Sequence, residues 1–188
     1  MARQALPLLP VGNLAERFLD ELPFSLTGAQ KHVMSDIRQD LSQPLPMLRL
    51  VQGDVGSGKT VVAALAAIQA IGAGAQVALM APTEILARQH FANLSLMLEG
   101  KDVNIAVLTG RDKGKLREKL LADLKSGEIN ILVGTHAIFQ KDVEYNDLAM
   151  AVIDEQHRFG VEQRMSLSAK GKSGVGMDIL AMTATPIP

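Results

Sequence analysis

The 188-residue sequence contains no cysteine and no tryptophan, and only one tyrosine. Without cysteine, disulfides and zinc–thiolate sites are impossible, which suits a reducing compartment, and we expect a cytoplasmic protein. An aromatic share of 3% makes a base-stacking platform for nucleic acid improbable. Neither charge is in excess, since 19 Lys and Arg stand against 20 Asp and Glu for a net charge of −1. A globally basic surface is therefore excluded, whereas local binding of phosphates is not.

The longest stretch without a charged residue, 60–83, is long enough to cross a bilayer. It contains Gln69 and Gln76, however, and glycines interrupt it within the sequence GAGA at 72–75. A helix that ends in glycine, followed by a buried strand, explains this run better than a membrane span. Residues 1–12 are broken by two prolines and lack the apolar core of a signal peptide. We therefore expect no membrane association.

Apolar runs alternate with amphipathic stretches along most of the chain. The runs predict strands, and the stretches between the first four predict helices. Continuous apolar strands joined by helices indicate a mostly parallel sheet with helices on both faces, which is an α/β fold with three layers. The predicted strands are 47–52, 76–81, 104–108, 129–133, 149–153 and 177–182, and the predicted helices are 11–22, 27–42, 58–71, 84–98 and 113–126.

A glycine-rich turn between the first strand and its helix reads GDVGSGKT and fits the pattern G-x-x-x-x-G-K-[ST]. Glycines allow successive backbone N–H groups to point at a phosphate chain, and the helix N-terminus adds partial positive charge. The lysine of this pattern reaches the β and γ phosphates, and the hydroxyl that follows it ligates Mg²⁺. A chance match occurs in roughly 1% of chains of this length. The predicted ATP-binding residues of the turn are Gly53, Gly56, Ser57, Gly58, Lys59 and Thr60.

An acidic pair follows the strand at 149–153, in the sequence AMAVIDEQHRFG. Asp154 is the predicted Mg²⁺ ligand, and Glu155 is the predicted general base or water-orienting group for hydrolysis of the γ-phosphate. The simpler interpretation is that two acidic residues begin a loop. Their occurrence together with the phosphate-binding turn favours the catalytic interpretation, with Lys59 and Glu155 as the catalytic residues.

Two further patterns have ordinary structural explanations. Thr27 and Gln30 have the spacing of a helix capping box, which by itself explains both residues. The stretch 109–119, TGRDKGKLREK, is basic, but its Lys and Arg residues mostly lie on the polar face of an amphipathic helix. A solvated face is the usual meaning of such a pattern, and contact with DNA is the less favoured alternative.

Taken together, the motifs resemble the first motor domain of superfamily 2 helicases, and within them the RecG family of bacterial branched-DNA helicases. The resemblance extends from Leu22 to Pro188, and DEQHRFGVEQR is its most specific part. The nearest relatives of that family are the transcription-repair coupling translocases. Ser57 and Gln156 differ from the residues usual in those translocases and favour the RecG family. The matching stretches are LPFSLTGAQ, RLVQGDVGSGKT, VALMAPTEILARQH, VGTHAIFQ, VIDEQHRFGVEQR and MTATPIP.

The resemblance implies a RecA-like P-loop NTPase fold and assigns further roles by position. Gln30 would recognise the adenine edge with Phe24 packed nearby, and backbone amides and hydroxyls at three strand ends would contact nucleic-acid phosphates. Such contacts position a strand without reading its sequence and need no net positive charge. The implied nucleic-acid contacts are Pro82, Thr83, Arg88, Thr109, Gly110, Gly134, Thr135 and His136, and the residues implied to couple the two sites are His157, Thr183 and Thr185.

We expect residues 1–22 to lead in from an upstream domain and residues 23–188 to form the first motor lobe. The resemblance implies ATP and Mg²⁺ as cofactors, and forks and four-way junctions as the branched DNA that is remodelled in recombination and repair. It also implies a second RecA-like lobe and a wedge domain as partners of this lobe. We expect a monomer, and we expect the lobe alone to be nearly inactive. The alternatives are a transcription-repair coupling translocase, a P-loop phosphotransferase and a nucleotide-dependent module without motor activity.

Overall fold

The computed structural model of the chain describes residues 48–52, 57–100, 102–140, 142–154 and 178–183, together with Ser35 and Gln39. The described residues from Leu48 onward form six strands, three α-helices and one short 3₁₀ helix. In chain order the elements are β1 (Leu48–Gln52), α1 (Ser57–Gly72), β2 (Gln76–Met80), α2 (Glu84–Met97), β3 (Ile105–Leu108), α3 (Gly114–Ser126), β4 (Ile131–Gly134), the 3₁₀ helix (His136–Phe139), β5 (Leu148–Asp154) and β6 (Asp178–Thr183).

All six predicted strands and the three helices predicted between them are confirmed, with ends that differ by at most two residues. The predicted helix 11–22 lies outside the described residues. Within the predicted helix 27–42, only Ser35 and Gln39 are described, and both are helical. Nothing in the sequence pattern indicates the 3₁₀ helix, because four residues are too few to establish a helical period.

The six strands form one parallel sheet in the order β1-β6-β5-β2-β4-β3. The chain therefore moves across the sheet in one direction from β1 to β2 to β3, and then turns back from β3 to β4. Crossovers between parallel strands are almost always right-handed, so this reversal moves the connecting helix to the other face. Accordingly, α1 and α2 cover one face of the sheet and α3 covers the other.

The two faces are distinguished by strict alternation along the central strands. In β5, Met150 and Val152 pack with α1 and α2, whereas Ala151 and Ile153 pack on the α3 face. Successive side chains of a strand point to opposite faces, so both layers are built from one continuous apolar run. This explains why the strands lack the alternating polar pattern of a half-exposed sheet.

The uncharged run 60–83 forms the greater part of α1, a glycine turn, β2 and the start of the next loop. Gly74 in that turn has a φ of +89°, which favours glycine over any residue with a Cβ. Among the described residues, no helix combines the length and the hydropathy that crossing a bilayer requires.

Gln76, at the start of β2, is a polar residue in the core with 3% exposure. Its amide nitrogen donates to the carbonyl oxygens of Leu124 and Ile129, at 2.9 and 2.7 Å. Its amide oxygen accepts from the backbone N–H groups of Asn146 and Asp147, at 2.8 and 2.9 Å. One side chain thus satisfies backbone groups at the end of α3 and in the loop before β5, where no strand pairing could do so.

Candidate functional site

Most of the predicted site residues that the structure describes lie at the edge of the sheet where the strands end. Because all six strands are parallel, their carboxyl ends lie at one edge, which is where open α/β sheets bind their ligands. In chain order this edge carries Ser57 after β1, Pro82 and Thr83 after β2, Thr109 and Gly110 after β3, Thr135 and His136 after β4, Asp154 at the end of β5 and Thr183 at the end of β6.

The second half of the phosphate-binding turn forms the beginning of α1, which starts at Ser57 and so includes Gly58, Lys59 and Thr60 in its first turn. The N-terminus of a 16-residue helix carries partial positive charge, and no acidic residue lies in the first turn of α1. Several predicted site residues lie outside the described part of the chain, namely Phe24, Gln30, Gly53, Gly56, Glu155, His157 and Thr185.

Asp154 is the last residue of β5, and its side chain is 7% exposed. It follows Met150 and Val152 in the two-residue alternation of the strand, so its carboxylate lies on the face covered by α1 and α2. Only β6 separates β5 from β1, the strand that leads into α1. The acid predicted to hold the metal is therefore on the same side of the sheet as the helix that begins with the phosphate-binding turn.

His90 contacts Asp154, a pairing that no motif indicated, although His90 is the last residue of the matching stretch VALMAPTEILARQH. Its Nε2 lies 2.6 Å from the Asp154 Oδ2, and the two side chains are 12% and 7% exposed. His90 is on the buried face of α2, three residues after Ala87 and four before Leu94. That spacing was the available signal: a histidine in line with core residues needs a partner beneath the helix. Its Nδ1 is buried and has no hydrogen-bond partner among the described residues.

The donor set at this edge fits Mg²⁺ better than a transition metal. The expected ligands are the Asp154 carboxylate and the Thr60 hydroxyl, which are hard oxygen donors. Mg²⁺ keeps several waters and is typically held by one or two carboxylates together with phosphate oxygens of a substrate. The described residues contain no cluster of three or more His, Asp or Glu side chains that would form an all-protein metal cage.

The N-terminus of α2 is organised by its own side chains. Thr83 is the N-cap, and its hydroxyl oxygen accepts from the backbone N–H of Leu86 at 3.2 Å. Glu84 contacts two arginines with its two carboxylate oxygens, Arg88 one turn along α2 at 3.1 Å and Arg111 from the loop after β3 at 3.2 Å. Arg111 is thereby brought beside Arg88, a residue predicted to contact a nucleic-acid strand.

The loop after β3 is a closed turn. Thr109 is 2% exposed, and both its backbone N–H and its hydroxyl donate to the Asp112 Oδ2, at 2.7 and 3.2 Å. The backbone N–H of Asp112 donates to the Thr109 carbonyl oxygen in return. Gly110, in contrast, is exposed. Contact of Thr109 and Gly110 with nucleic acid stays a prediction, and the accessible part of this pair is the glycine backbone.

The end of β4 is packed too closely for any side chain. A Cβ on Gly134 would lie 2.0 Å from the Leu108 carbonyl oxygen and 2.5 Å from a methyl carbon of Ile138. Beyond it, Thr135 is half-buried and His136 is exposed at the start of the 3₁₀ helix. The glycine therefore brings Thr135 and His136 into a fixed position at the edge, beside the loop after β3.

The basic stretch 109–119 divides into two parts in the structure. On α3, Arg117 contacts Asp142 at 2.7 Å, and Lys119 contacts Asp123 at 3.1 Å. The hydrogen bond to Asp142 raises the pKa of the Arg117 guanidinium above its ordinary value. These pairs agree with the solvated-face interpretation. Arg111 differs, because it lies at the carboxyl edge of the sheet beside the start of α2.

Comparison with known proteins agrees with this geometry. The profile of the DEAD/DEAH box helicase family matches residues 26–188. The chain is 57% identical to the ATP-dependent DNA helicase RecG of Haemophilus influenzae over 98% of its own length and 27% of that protein. It is 56% identical to the RecG of Bacillus subtilis over 92% of its length and 25% of that protein. The chain thus spans about a quarter of the length of these curated relatives.

Among solved structures, RecG bound to a three-way DNA junction matches 98% of this chain and 24% of that one, with 43% identity and a TM-score of 0.87. The DEAD-box helicase Mss116 bound to ssRNA matches all of this chain and 42% of that one, with 17% identity and a TM-score of 0.69, which supports the fold alone. The RecA-like fold and the resemblance to the RecG family are confirmed. The chain belongs to the DEAD/DEAH box helicase family.

Proposed function

We propose that this member of the DEAD/DEAH box helicases is the nucleotide-binding motor lobe of an ATP-dependent DNA helicase that remodels branched DNA, such as forks and four-way junctions. One observation carries the proposal furthest. Asp154 lies at the carboxyl edge of the sheet, on the same face as α1, the helix that begins with the predicted phosphate-binding turn.

For the nucleotide, the backbone N–H groups at the start of α1 bind the phosphates, and Lys59 neutralises their charge. Asp154 and Thr60 hold the metal ion. A Mg²⁺ ion held there would supply electrostatic stabilisation of the charge that develops on the transferred phosphoryl group. Glu155, directly after Asp154 in the sequence, accepts a proton from the attacking water or orients it. Phe24 and Gln30 recognise the adenine.

For the nucleic acid, the loops after β2, β3 and β4 form an edge that contacts one strand. Thr83 and Arg88 from α2, the Gly110 backbone, and Thr135 with His136 contact successive phosphates. Arg111 joins this set because Glu84 holds it beside Arg88. The contacts are directed at the backbone, so binding is insensitive to base sequence and sensitive to salt.

Coupling between the two sites involves β6, which lies between β1 and β5 and ends at Thr183. We propose that Thr183, Thr185 and His157 couple the presence or loss of the γ-phosphate to the edge of the sheet that binds the nucleic-acid strand. A second RecA-like lobe supplies the opposing arginine and the other half of the strand contacts, and a wedge domain engages the junction. The whole protein acts as a monomer in the cytoplasm.

Nucleotide binding and DNA-dependent hydrolysis test the proposal separately. A fluorescent ATP analogue should bind the chain in the presence of Mg²⁺, and Lys59→Ala should weaken that binding by removing the side-chain cation of the phosphate site. Lys115→Ala, an exposed lysine on α3, is the matched control and should bind as wild type. Equal affinity of the Lys59→Ala variant and wild type would refute the nucleotide site.

The substrate is tested in the full-length helicase, meaning this lobe together with the second lobe and the wedge domain proposed above. Its ATPase activity should be stimulated more by a forked or four-way DNA than by linear duplex of the same length. Stimulation that requires a stalled RNA polymerase would favour the transcription-repair coupling translocase. Hydrolysis unaffected by any DNA would indicate a module without motor activity.

A further inference from the structure

His90 has no role in the site as described so far, and its surroundings point to one. The contact between its Nε2 and the Asp154 Oδ2 is short, at 2.6 Å, and both side chains are largely removed from solvent. Hydrogen bonds to a carboxylate are stronger than those between neutral groups, and they gain strength where water is excluded. This bond therefore determines the orientation of the Asp154 carboxylate.

The other ring nitrogen indicates that His90 is not simply a core residue. Nε2 donates to Asp154, and Nδ1 is buried without a partner in the described part of the chain. Burial of an unpaired polar atom is unfavourable, and an apolar side chain would fill the same space without that cost. Among the described residues, the bond to Asp154 is the contact that a histidine makes at this position and an apolar residue could not.

We propose that His90 is a positioning residue. It orients the Asp154 carboxylate for Mg²⁺ and links it to the N-terminal end of α2, where a nucleic-acid strand is proposed to bind. The inference rests on the function proposed above. Histidine and carboxylate partners outside the coordination sphere commonly orient a metal ligand in this way. One oxygen of Asp154 is bound by His90, so the carboxylate presents its remaining oxygen in one defined direction.

The position of His90 on α2 gives the link to the nucleic acid. Arg88 lies two residues before it, and Thr83 and Glu84 begin the same helix. A helix moves as a rigid element over so short a distance, so a displacement of its N-terminus by a bound strand also displaces His90. The bond to Asp154, 64 residues away in sequence, transmits that displacement to the metal site. His90 thus connects the nucleic-acid site to the metal site by a route that does not involve β6.

The test is a direct measurement of Mg²⁺ dependence. Binding of fluorescent ADP to the chain is followed at increasing Mg²⁺ concentration for wild type, His90→Phe and His90→Gln. His90→Phe keeps a ring but removes the donor, and it should raise the Mg²⁺ concentration for half-saturation by about tenfold, the lower end of the effect typical for such partners. His90→Gln retains an N–H donor and should restore most of the wild-type value.

Two controls separate positioning from folding. Gln89→Ala, an exposed neighbour on α2, should behave as wild type. If His90→Phe fails to fold, His90→Asn and His90→Gln are compared instead, because both carry an amide but only the longer one reaches Asp154. A wild-type Mg²⁺ dependence in a folded His90→Phe or His90→Asn variant would overturn the inference.

Hydrolysis in the full-length helicase supplies the coupling readout. His90→Phe should reduce the stimulation of kcat by forked DNA while leaving the KM for ATP at saturating Mg²⁺ nearly unchanged. Full stimulation by forked DNA in this variant would show that His90 does not couple nucleic-acid binding at α2 to hydrolysis. Failure of the proposed function is distinguishable, since wild type would then bind no nucleotide and Lys59→Ala would change nothing.

Discussion

Arg111, in the loop after β3, contacts Glu84 at the start of α2, with 3.2 Å between the arginine Nε and the carboxylate Oε2. The other oxygen of Glu84 contacts Arg88 at 3.1 Å. The Arg111 side chain is 83% exposed, so the ion pair itself contributes little to stability. Its consequence is positional: two guanidinium groups lie together at the edge where a nucleic-acid strand is proposed to bind.

Arg111→Ala should therefore weaken binding of single-stranded DNA to the same extent for every sequence. Loss of one phosphate contact should reduce the slope of log K against log salt concentration by about 0.7, the value for one charge on a single strand. Fluorescence anisotropy with the full-length helicase at several salt concentrations measures this slope. Arg117→Ala is the matched control, because Arg117 lies on α3 and is paired with Asp142.

Glu84→Gln provides the complementary change in the same assay. It removes the carboxylate that competes with phosphate for Arg88 and Arg111, so DNA affinity should rise at low salt. A slope that is unchanged in Arg111→Ala, or equal losses in Arg111→Ala and Arg117→Ala, would show that Arg111 makes no phosphate contact.

Gln76→Leu tests the polar position in the core. The substitution keeps an apolar group of similar size but removes the partners of four backbone groups, in Leu124, Ile129, Asn146 and Asp147. Each unsatisfied buried group costs about 1–3 kcal/mol, with partial relief where water enters. The free energy of unfolding, measured by urea denaturation, should fall by about 3 kcal/mol or more.

Gln89→Leu, at an exposed position of α2, is the control for Gln76→Leu and should change stability by no more than about 0.5 kcal/mol. Equal stability of the two variants would mean that the bonds of Gln76 make no net contribution to the folded state.

Glu155→Gln in the full-length helicase should retain ATP affinity and lose turnover. Loss of general-base action lowers a rate by about 10²–10⁴, whereas the amide preserves the size of the side chain. Steady-state hydrolysis and binding of a fluorescent ATP analogue measure the two effects separately. Normal turnover would exclude Glu155 from the mechanism, and a parallel loss of binding would assign it a metal-holding or structural role instead.

The 188-residue chain by itself should hydrolyse ATP barely above background and should not respond to forked DNA. The contacts proposed for this lobe would reach the transferred phosphoryl group from one side, and an opposing arginine contributes a factor of about 10³–10⁵ where such residues operate. Phosphate release from the purified chain, with and without forked DNA, measures this. Vigorous DNA-stimulated hydrolysis would mean that the catalytic site is complete in this lobe.

Most of the secondary structure was predictable because its signals are local. An apolar run of five or six residues bounded by turn residues forms a strand, and a glycine can end a helix, wherever in the fold they occur. The site residues at strand ends were predictable for a related reason. In a parallel sheet all carboxyl ends share an edge, so Asp154 and the start of α1 had to lie at the same edge once the strands were recognised.

Pairwise contacts across the fold depend instead on strand order and on which helix covers which face. The order β1-β6-β5-β2-β4-β3 places α2 above the end of β5, and this brings His90 to Asp154. The same arrangement brings Arg111 to Glu84 and encloses the amide of Gln76. Neither periodicity nor motif spacing predicts these contacts, because they depend on how segments that are distant in the sequence pack together. Local residue patterns were thus sufficient for the elements and for the common edge at which the candidate site residues lie, whereas long-range packing decided the contacts of His90, Arg111 and Gln76.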